Sequence, residues 1–110
     1  MILKLYIMND LEVKFTDHAA RVKQIKNTPS NEILLELYSL YKQSTVGNCN
    51  TPEPWFYEPE NQLKWNAWNA RQDQTKEDCM KLYIKKAEEV INNDKNNDSN
   101  DTSSQFSFFS

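Results

Sequence analysis

Two tyrosines and a lysine share one face of a predicted helix and could hold a flat, anionic ligand. Tyr38, Tyr41 and Lys42 stand at positions i, i+3 and i+4, which lie on the same side of an α-helix. Phenol rings can stack on a planar π-system and donate their hydroxyl protons, while an ammonium group pairs with phosphate. The spacing also fits a tyrosine pair at the edge of a core beside a solvated lysine, so the motif alone leaves both interpretations open.

A second aromatic and basic segment lies farther along the chain. Lys64 precedes Trp65 and Trp68, and two tryptophans three residues apart share a helix face. Such a pair is typical of a hydrophobic core, and Lys64 lies beside that face. Tyr83 falls in the apolar stripe of a later predicted helix, where a core position is again the ordinary expectation.

Four predicted helices must position these residues. Apolar residues recur at spacings of three and four over residues 11–26, 30–45, 60–71 and 75–91, and no segment alternates as a strand would. Ser30 is a candidate cap for the second helix, and Thr75 with Asp78 forms a candidate capping box for the last. The sequence therefore predicts an all-α, four-helix bundle.

The connection between the second and third helices is unusually long for a bundle of this size. Gly47 suits a residue with positive φ just past a helix end. Three prolines follow at positions 52, 54 and 59, and each fixes its own φ. We therefore expect a non-helical segment with little conformational freedom.

Composition excludes several classes of protein. A chain of 110 residues with a net charge of −3 and one glycine fits a single domain. It lacks the glycines of a phosphate-binding loop and the positive charge of a general nucleic-acid binder. Two cysteines are too few for a disulfide framework or a cysteine-only zinc site, and His18 has no marked nucleophile beside it. We therefore predict no catalysis, no metal, no cofactor and no nucleic-acid partner. Cys49 and Cys79 fit small apolar residues in a reducing compartment, so we expect a cytoplasmic location.

The two ends differ in composition from the middle. Residues 1–10 form an apolar extension that packs on the domain or remains free; a membrane-touching anchor and a degenerate signal are the alternatives. Residues 92–110 form an Asn-rich tail that we expect to be disordered, since most of it offers no apolar surface to bury. Its end regains aromatics at Phe106, Phe108 and Phe109, which fit either an unstructured tail or a short docking motif.

Three ordered segments resemble the acyl-CoA-binding protein family. They are residues 38–48 (YSLYKQSTVGN), residues 64–69 (KWNAWN) and residues 75–84 (TKEDCMKLYI), while residues 15–29 fit the first helix of the family. The resemblance covers residues 11–91 and needs no gaps between the segments. It implies a four-helix domain that binds long-chain fatty acyl-CoA one to one and does not cleave it.

The resemblance also assigns roles to single residues. Tyr38, Lys42 and Lys64 would hold the adenosine end, with both lysines facing the 3′-phosphate. Tyr41 and Tyr83 would line the nucleotide and pantetheine region, and Lys23 would add a basic contact to the CoA moiety. The acyl groove would be walled by Phe15, Ala19, Leu34 and Leu35.

The implied protein is a monomeric carrier and buffer of acyl-CoA, with transient contacts to membranes or to enzymes that use acyl-CoA. The alternative is a helical protein-interaction module that keeps the fold without the ligand.

One departure from the family bears on affinity: Glu60 stands where many members of the family carry a lysine near the CoA phosphates. We expect this carboxylate to lower the affinity or to change the pose of the CoA.

Overall fold

The computed structural model describes residues 9–96, and this part of the chain contains four α-helices and no strand. The helices are α1 (Asp10–Val22), α2 (Asn31–Thr45), α3 (Pro59–Asn69) and α4 (Lys76–Asn96). The predicted all-α, four-helix architecture is confirmed. Residues 1–8 and 97–110, which hold most of the predicted extension and tail, lie outside the described residues.

Short polar side chains fix where three helices begin. Ser30 Oγ accepts a hydrogen bond from the N–H of Ile33 at 3.3 Å, and Thr75 Oγ1 accepts one from the N–H of Asp78 at 3.1 Å. Both caps were expected. A third cap was not: Asn9 and Glu12 form a reciprocal capping box, with bonds of 2.8 and 3.1 Å, that starts α1. Its sequence signal is an Asn three residues before a Glu.

One carboxylate explains why two predicted helix ends are wrong. The first helix was expected to reach residue 26 but ends at Val22, and the last was expected to end at Ile91 but continues to Asn96. Asp94 on α4 accepts hydrogen bonds from the backbone N–H groups of Lys26 and Asn27, at 3.0 and 2.7 Å. This contact secures α4 beyond Ile91 and holds the chain that leaves α1 in a turn. Disorder was predicted from residue 92, so for residues 92–96 that prediction is wrong.

Replacing Asp94 with alanine should destabilise the fold at neutral pH. Partial burial raises the pKa of Asp94, but the N–H groups of Asn27 and Lys26 outweigh it and hold the pKa below its ordinary value. A depressed pKa in the folded state adds stability above the unfolded pKa, and this stability is lost as pH falls through the folded pKa. We expect Asp94→Ala to lower the free energy of unfolding by about 1 kcal/mol at neutral pH, measured by urea unfolding.

The pH dependence separates this effect from a general loss of packing. The difference between Asp94→Ala and the wild type should shrink when unfolding is measured at acid instead of neutral pH, as Asp94 becomes protonated. Asp17→Ala is the matched control, because Asp17 is an exposed carboxylate paired with Arg21 on α1. It should change stability by less than about 0.5 kcal/mol. A deficit for Asp94→Ala that is equal at both pH values would contradict the proposed role of the charge.

The core lies where α4 packs against α1 and α2, while α3 packs against α2. Buried apolar residues from α1, α2 and α4 form one cluster, which includes Val22, Leu37, Leu40 and Ala87. His18 is buried beside it, with Nδ1 2.8 Å from the carbonyl oxygen of Lys14 and Nε2 3.3 Å from Glu88. α2 therefore packs against both α4 and α3.

The long connection is held against α3. Gly47 has the expected positive φ of 100°, and its carbonyl oxygen accepts a 2.7 Å hydrogen bond from the indole of Trp68. The indole of Trp65 donates to the carbonyl of Thr51 at 2.9 Å. Both tryptophans of α3 thus orient the connection through their indole N–H groups. Within residues 9–96, none of the helices combines the length and apolar composition needed to cross a membrane.

Candidate ligand-binding site

The site predicted from the sequence is centred on α2. Tyr38, Tyr41 and Lys42 are all half-buried on this helix, so each side chain is positioned by packing yet keeps part of its surface accessible. Ser30 and Gly47 flank α2, and these two residues set where the helix begins and where the chain turns away. The rings and the ammonium group therefore project from one well-fixed element.

Tyr41 belongs to a cluster of three rings that joins α1, α2 and α4. Its ring stacks on Phe15 at a centroid distance of 5.7 Å, and Phe15 meets Tyr83 edge-on at 5.0 Å. Tyr41 and Tyr83 lie 6.1 Å apart. Phe15 and Tyr83 are buried, whereas Tyr41 is only half-buried. The three predicted residues are thus brought together, and Tyr41 is the one best placed to touch a ligand.

The two predicted lysines lie against aromatic rings where α2 meets α3. Lys64 Nζ on α3 stands 5.5 Å from the ring centroid of Tyr38, and Lys42 Nζ on α2 stands 4.8 Å from that of Trp68. An ammonium over a π-face is attracted to it, so each ring holds the cation opposite it. Each lysine thus lies over a ring of the other helix. The contact between α2 and α3, called the seam below, therefore carries two positive charges and the phenol of Tyr38.

The phenols of Tyr38 and Tyr83 stay protonated at neutral pH. Burial raises the pKa of Tyr38, with a smaller contribution from Cys49. Burial also raises the pKa of Tyr83 far above its ordinary value, with a smaller contribution from Tyr41. Both hydroxyl groups therefore keep their protons. The half-buried Tyr38 can donate its proton to an anionic ligand, whereas Tyr83 is only 2% exposed in this conformation.

The other predicted ligand residues differ in how much surface they offer. Lys23 is exposed at the C-terminal cap of α1. Ala19 and Leu35 are half-buried, and Ala19 packs against the central core cluster. Leu34 is only 2% exposed, so in this conformation its side chain offers almost no contact area to a ligand.

Two contacts of the site were not predicted. Trp68 was expected only as a core residue; it is buried, but it also holds Lys42. Arg71, which follows α3, donates from Nε to Ser39 Oγ on α2 at 2.7 Å and so links the two sides of the seam. Both contacts join residues far apart in the chain, and no local spacing announces them.

Glu60, the departure noted above, lies exposed in the first turn of α3. The N-terminus of a helix carries partial positive charge and favours a carboxylate there. Glu60 thus has a structural role that a lysine would not fill.

Among residues 9–96, no group of three or more His, Cys, Asp or Glu side chains is placed so that it could hold a metal ion. Cys49 and Cys79 are both unpaired thiols.

Comparison with known families gives a match over most of the described helices. The model of the family described as "Acyl CoA binding protein" matches residues 12–87. This span includes α1 except for its first two residues, all of α2 and α3, and the part of α4 that carries Tyr83. All six tyrosines and lysines of the predicted site lie inside it.

Two small relatives match over most of their own length. The "Acyl-CoA-binding protein homolog 1" of Caenorhabditis elegans is 41% identical over 81 residues, which is 74% of this chain and 94% of the relative. The "Acyl-CoA-binding protein" of Dictyostelium discoideum is 47% identical over 70 residues, covering 64% of this chain and 83% of the relative. The crystal structure of acyl-CoA-binding protein 2 from Oryza sativa superposes with a TM-score of 0.73 at 37% identity, covering 76% of this chain and 90% of that one.

Proposed function

Since the chain belongs to the acyl-CoA-binding protein family, we propose that it binds long-chain fatty acyl-CoA thioesters one to one and carries them without cleaving them. The observation that best supports this function is the seam between α2 and α3, where Lys42, Lys64 and Tyr38 lie together. A CoA head group is complementary to this seam, because its flat base can stack on the phenol ring and its phosphates can pair with the two ammonium groups.

The nucleotide end would lie along this seam. The two ammonium groups would pair with the 3′-phosphate, and the ring of Tyr38 would stack near the base. Tyr41 and Tyr83 would meet the nucleotide and pantetheine portion, where their hydroxyl protons can be donated to phosphate or amide oxygens. Lys23, exposed on α1, would add a further positive charge.

The acyl chain would run over the apolar surface between α1 and α2. Phe15, Ala19, Leu34 and Leu35 would form its walls. Phe15 and Leu34 are almost fully covered, so ligand binding would require neighbouring side chains to change rotamer and uncover them. Ala19 and Leu35 are half-buried and would supply the contact area that is already accessible.

Calorimetric titration with palmitoyl-CoA tests the proposal. We expect a single binding event with a stoichiometry of one, and much weaker or no binding of palmitate and of free CoA, because each of them lacks half of the proposed contacts. The thioester should be recovered intact after incubation. Equal affinity for palmitate and palmitoyl-CoA, or release of free CoA, would contradict a carrier that recognises both ends of its ligand.

The setting we propose is a monomer in the cytoplasm that buffers acyl-CoA and meets membranes or acyl-CoA-using enzymes transiently. The two unpaired cysteines support a reducing compartment. A protein-interaction module that keeps the fold without the ligand remains the competing function. It would be favoured if the folded protein failed to bind palmitoyl-CoA in the titration.

A further inference from the structure

Three consecutive aromatic side chains project into solvent from the connection between α2 and α3. Trp55, Phe56 and Tyr57 are 66%, 84% and 66% exposed. Since an aromatic side chain carries roughly 150–250 Å² of surface, these residues, called the aromatic tip below, expose several hundred square ångströms together. Apolar patches of that size on a single domain mark sites of interaction.

The rings form one patch because they contact each other. Trp55 and Tyr57 stack at a centroid distance of 6.2 Å with planes 11° apart. Phe56 meets Tyr57 edge-on at 5.6 Å. None of the three residues is among the proposed contacts to acyl-CoA.

The backbone beneath the rings is held in a fixed turn. The N–H of Glu58 donates to the carbonyl of Trp55 at 3.0 Å, and Glu58 Oε2 accepts from the N–H of Trp55 at 3.3 Å. Gln62 on α3 donates to the carbonyl of Pro54 at 3.2 Å. A segment tied in this way presents its rings at little entropic cost to whatever it meets.

The charge around the tip restricts what that partner can be. Residues 48–63 contain three carboxylates, at Glu53, Glu58 and Glu60, and no lysine or arginine. Anionic lipid surfaces are recognised by basic segments, so the charges near the tip oppose them. Tryptophan and tyrosine, in contrast, favour the boundary between the headgroups and acyl chains of a bilayer, where the ring is apolar and its polar atom remains hydrated.

We propose that the aromatic tip docks the protein on electrically neutral lipid bilayers by inserting its three rings at the interface. A folded partner would need a pocket matched to three adjoining rings, whereas a lipid interface accepts them without one. The tip is tied to α3, the helix that carries Lys64, so docking would bring the site between α2 and α3 close to the membrane. This surface is separate from the proposed acyl-CoA contacts and does not depend on them.

Co-sedimentation of the full chain with sucrose-loaded phosphatidylcholine vesicles tests the proposal. We expect the wild type to sediment with the vesicles and Trp55→Ser/Phe56→Ser/Tyr57→Ser to bind roughly tenfold more weakly or less. Val13→Ser/Leu82→Ser is the matched control, because it removes exposed apolar side chains from α1 and α4 instead. It should bind like the wild type. Vesicles of equimolar phosphatidylcholine and phosphatidylserine should bind the wild type less well than neutral ones.

Several results would overturn the proposal. They are no sedimentation with neutral vesicles, equal binding of the tip variant, and binding that requires phosphatidylserine. Self-association that depends on the tip, seen by size-exclusion chromatography without vesicle binding, would make it a protein contact instead. Palmitoyl-CoA titration of the tip variant should be unchanged, which separates a failure here from a failure of the proposed function. Should the triple variant unfold, Phe56→Ser, which changes the most exposed ring, decides the question in the same assay.

Discussion

Affinity for acyl-CoA should rise steeply with the length of the acyl chain. Burying one methylene group contributes about 0.8 kcal/mol before the cost of ordering the chain. Four additional methylenes therefore give roughly 3 kcal/mol gross, or up to about two hundredfold in affinity. After ordering costs, we expect lauroyl-CoA to bind at least about tenfold more tightly than octanoyl-CoA, measured by calorimetric titration across a series from octanoyl to palmitoyl.

A matched pair of variants links this slope to the proposed groove. Leu35 is half-buried and was assigned to the groove, so Leu35→Ser should weaken long chains more than short ones. Leu82 is an exposed leucine on α4 with no assigned ligand contact, and Leu82→Ser should leave the slope unchanged. A flat affinity from octanoyl to palmitoyl in the wild type would contradict a buried chain and leave only head-group recognition.

The features predicted correctly are those that local chemistry determines. Ser30 and Thr75 cap their helices because each offers an oxygen to N–H groups two or three residues ahead. Gly47 takes its positive φ because it follows a helix end. Tyr38, Tyr41 and Lys42 share a face because helical spacing requires it. These features depend on neighbours in the chain, so a single sequence contains them.

The features that were missed depend on contacts between distant segments. Asp94 changes the ends of two helices through hydrogen bonds to Lys26 and Asn27, which lie 68 and 67 residues away in the chain. The ammonium of Lys42 rests on the ring of Trp68, a contact between α2 and α3. The burial of Leu34, which is 2% exposed in this conformation, is likewise set by its packing, and its place in the groove wall stays a prediction. In each case the packing of one helix on another decides the outcome, and the sequence periodicity does not specify that packing.

The cation–ring pairs make the positions of both lysines depend on the packing between α2 and α3. Lys42 is fixed by a ring on α3, and Lys64 by a ring on α2. Since each helix positions the other helix's ammonium, both charges depend on the packing between α2 and α3. A phosphate that bridges the two lysines would therefore stabilise this packing as well, and ligand binding should protect the seam from hydrogen exchange.

Removing the charge of Lys42 should cost tenfold to a hundredfold in affinity, and the loss should depend on the 3′-phosphate of the ligand. A hydrogen bond to a charged group contributes about 1.5–3 kcal/mol, which corresponds to that range. Lys42→Met is the best variant, because methionine keeps an apolar stem over Trp68 while removing the ammonium. The measurement is titration with palmitoyl-CoA and with 3′-dephospho-palmitoyl-CoA.

The double comparison isolates the proposed contact. If Lys42 pairs with the 3′-phosphate, the variant should bind the dephosphorylated ligand about as well as the wild type does, since the group it would meet is already missing. Lys64→Met should behave in the same way, and Lys85→Met should affect neither ligand, because Lys85 is an exposed lysine on α4 with no assigned contact. A loss of equal size for both ligands would show that Lys42 acts on another part of the CoA or only supports the packing of Trp68. Tyr38, Tyr41 and Lys42 could then still bind the nucleotide, but they would not recognise it through its 3′-phosphate.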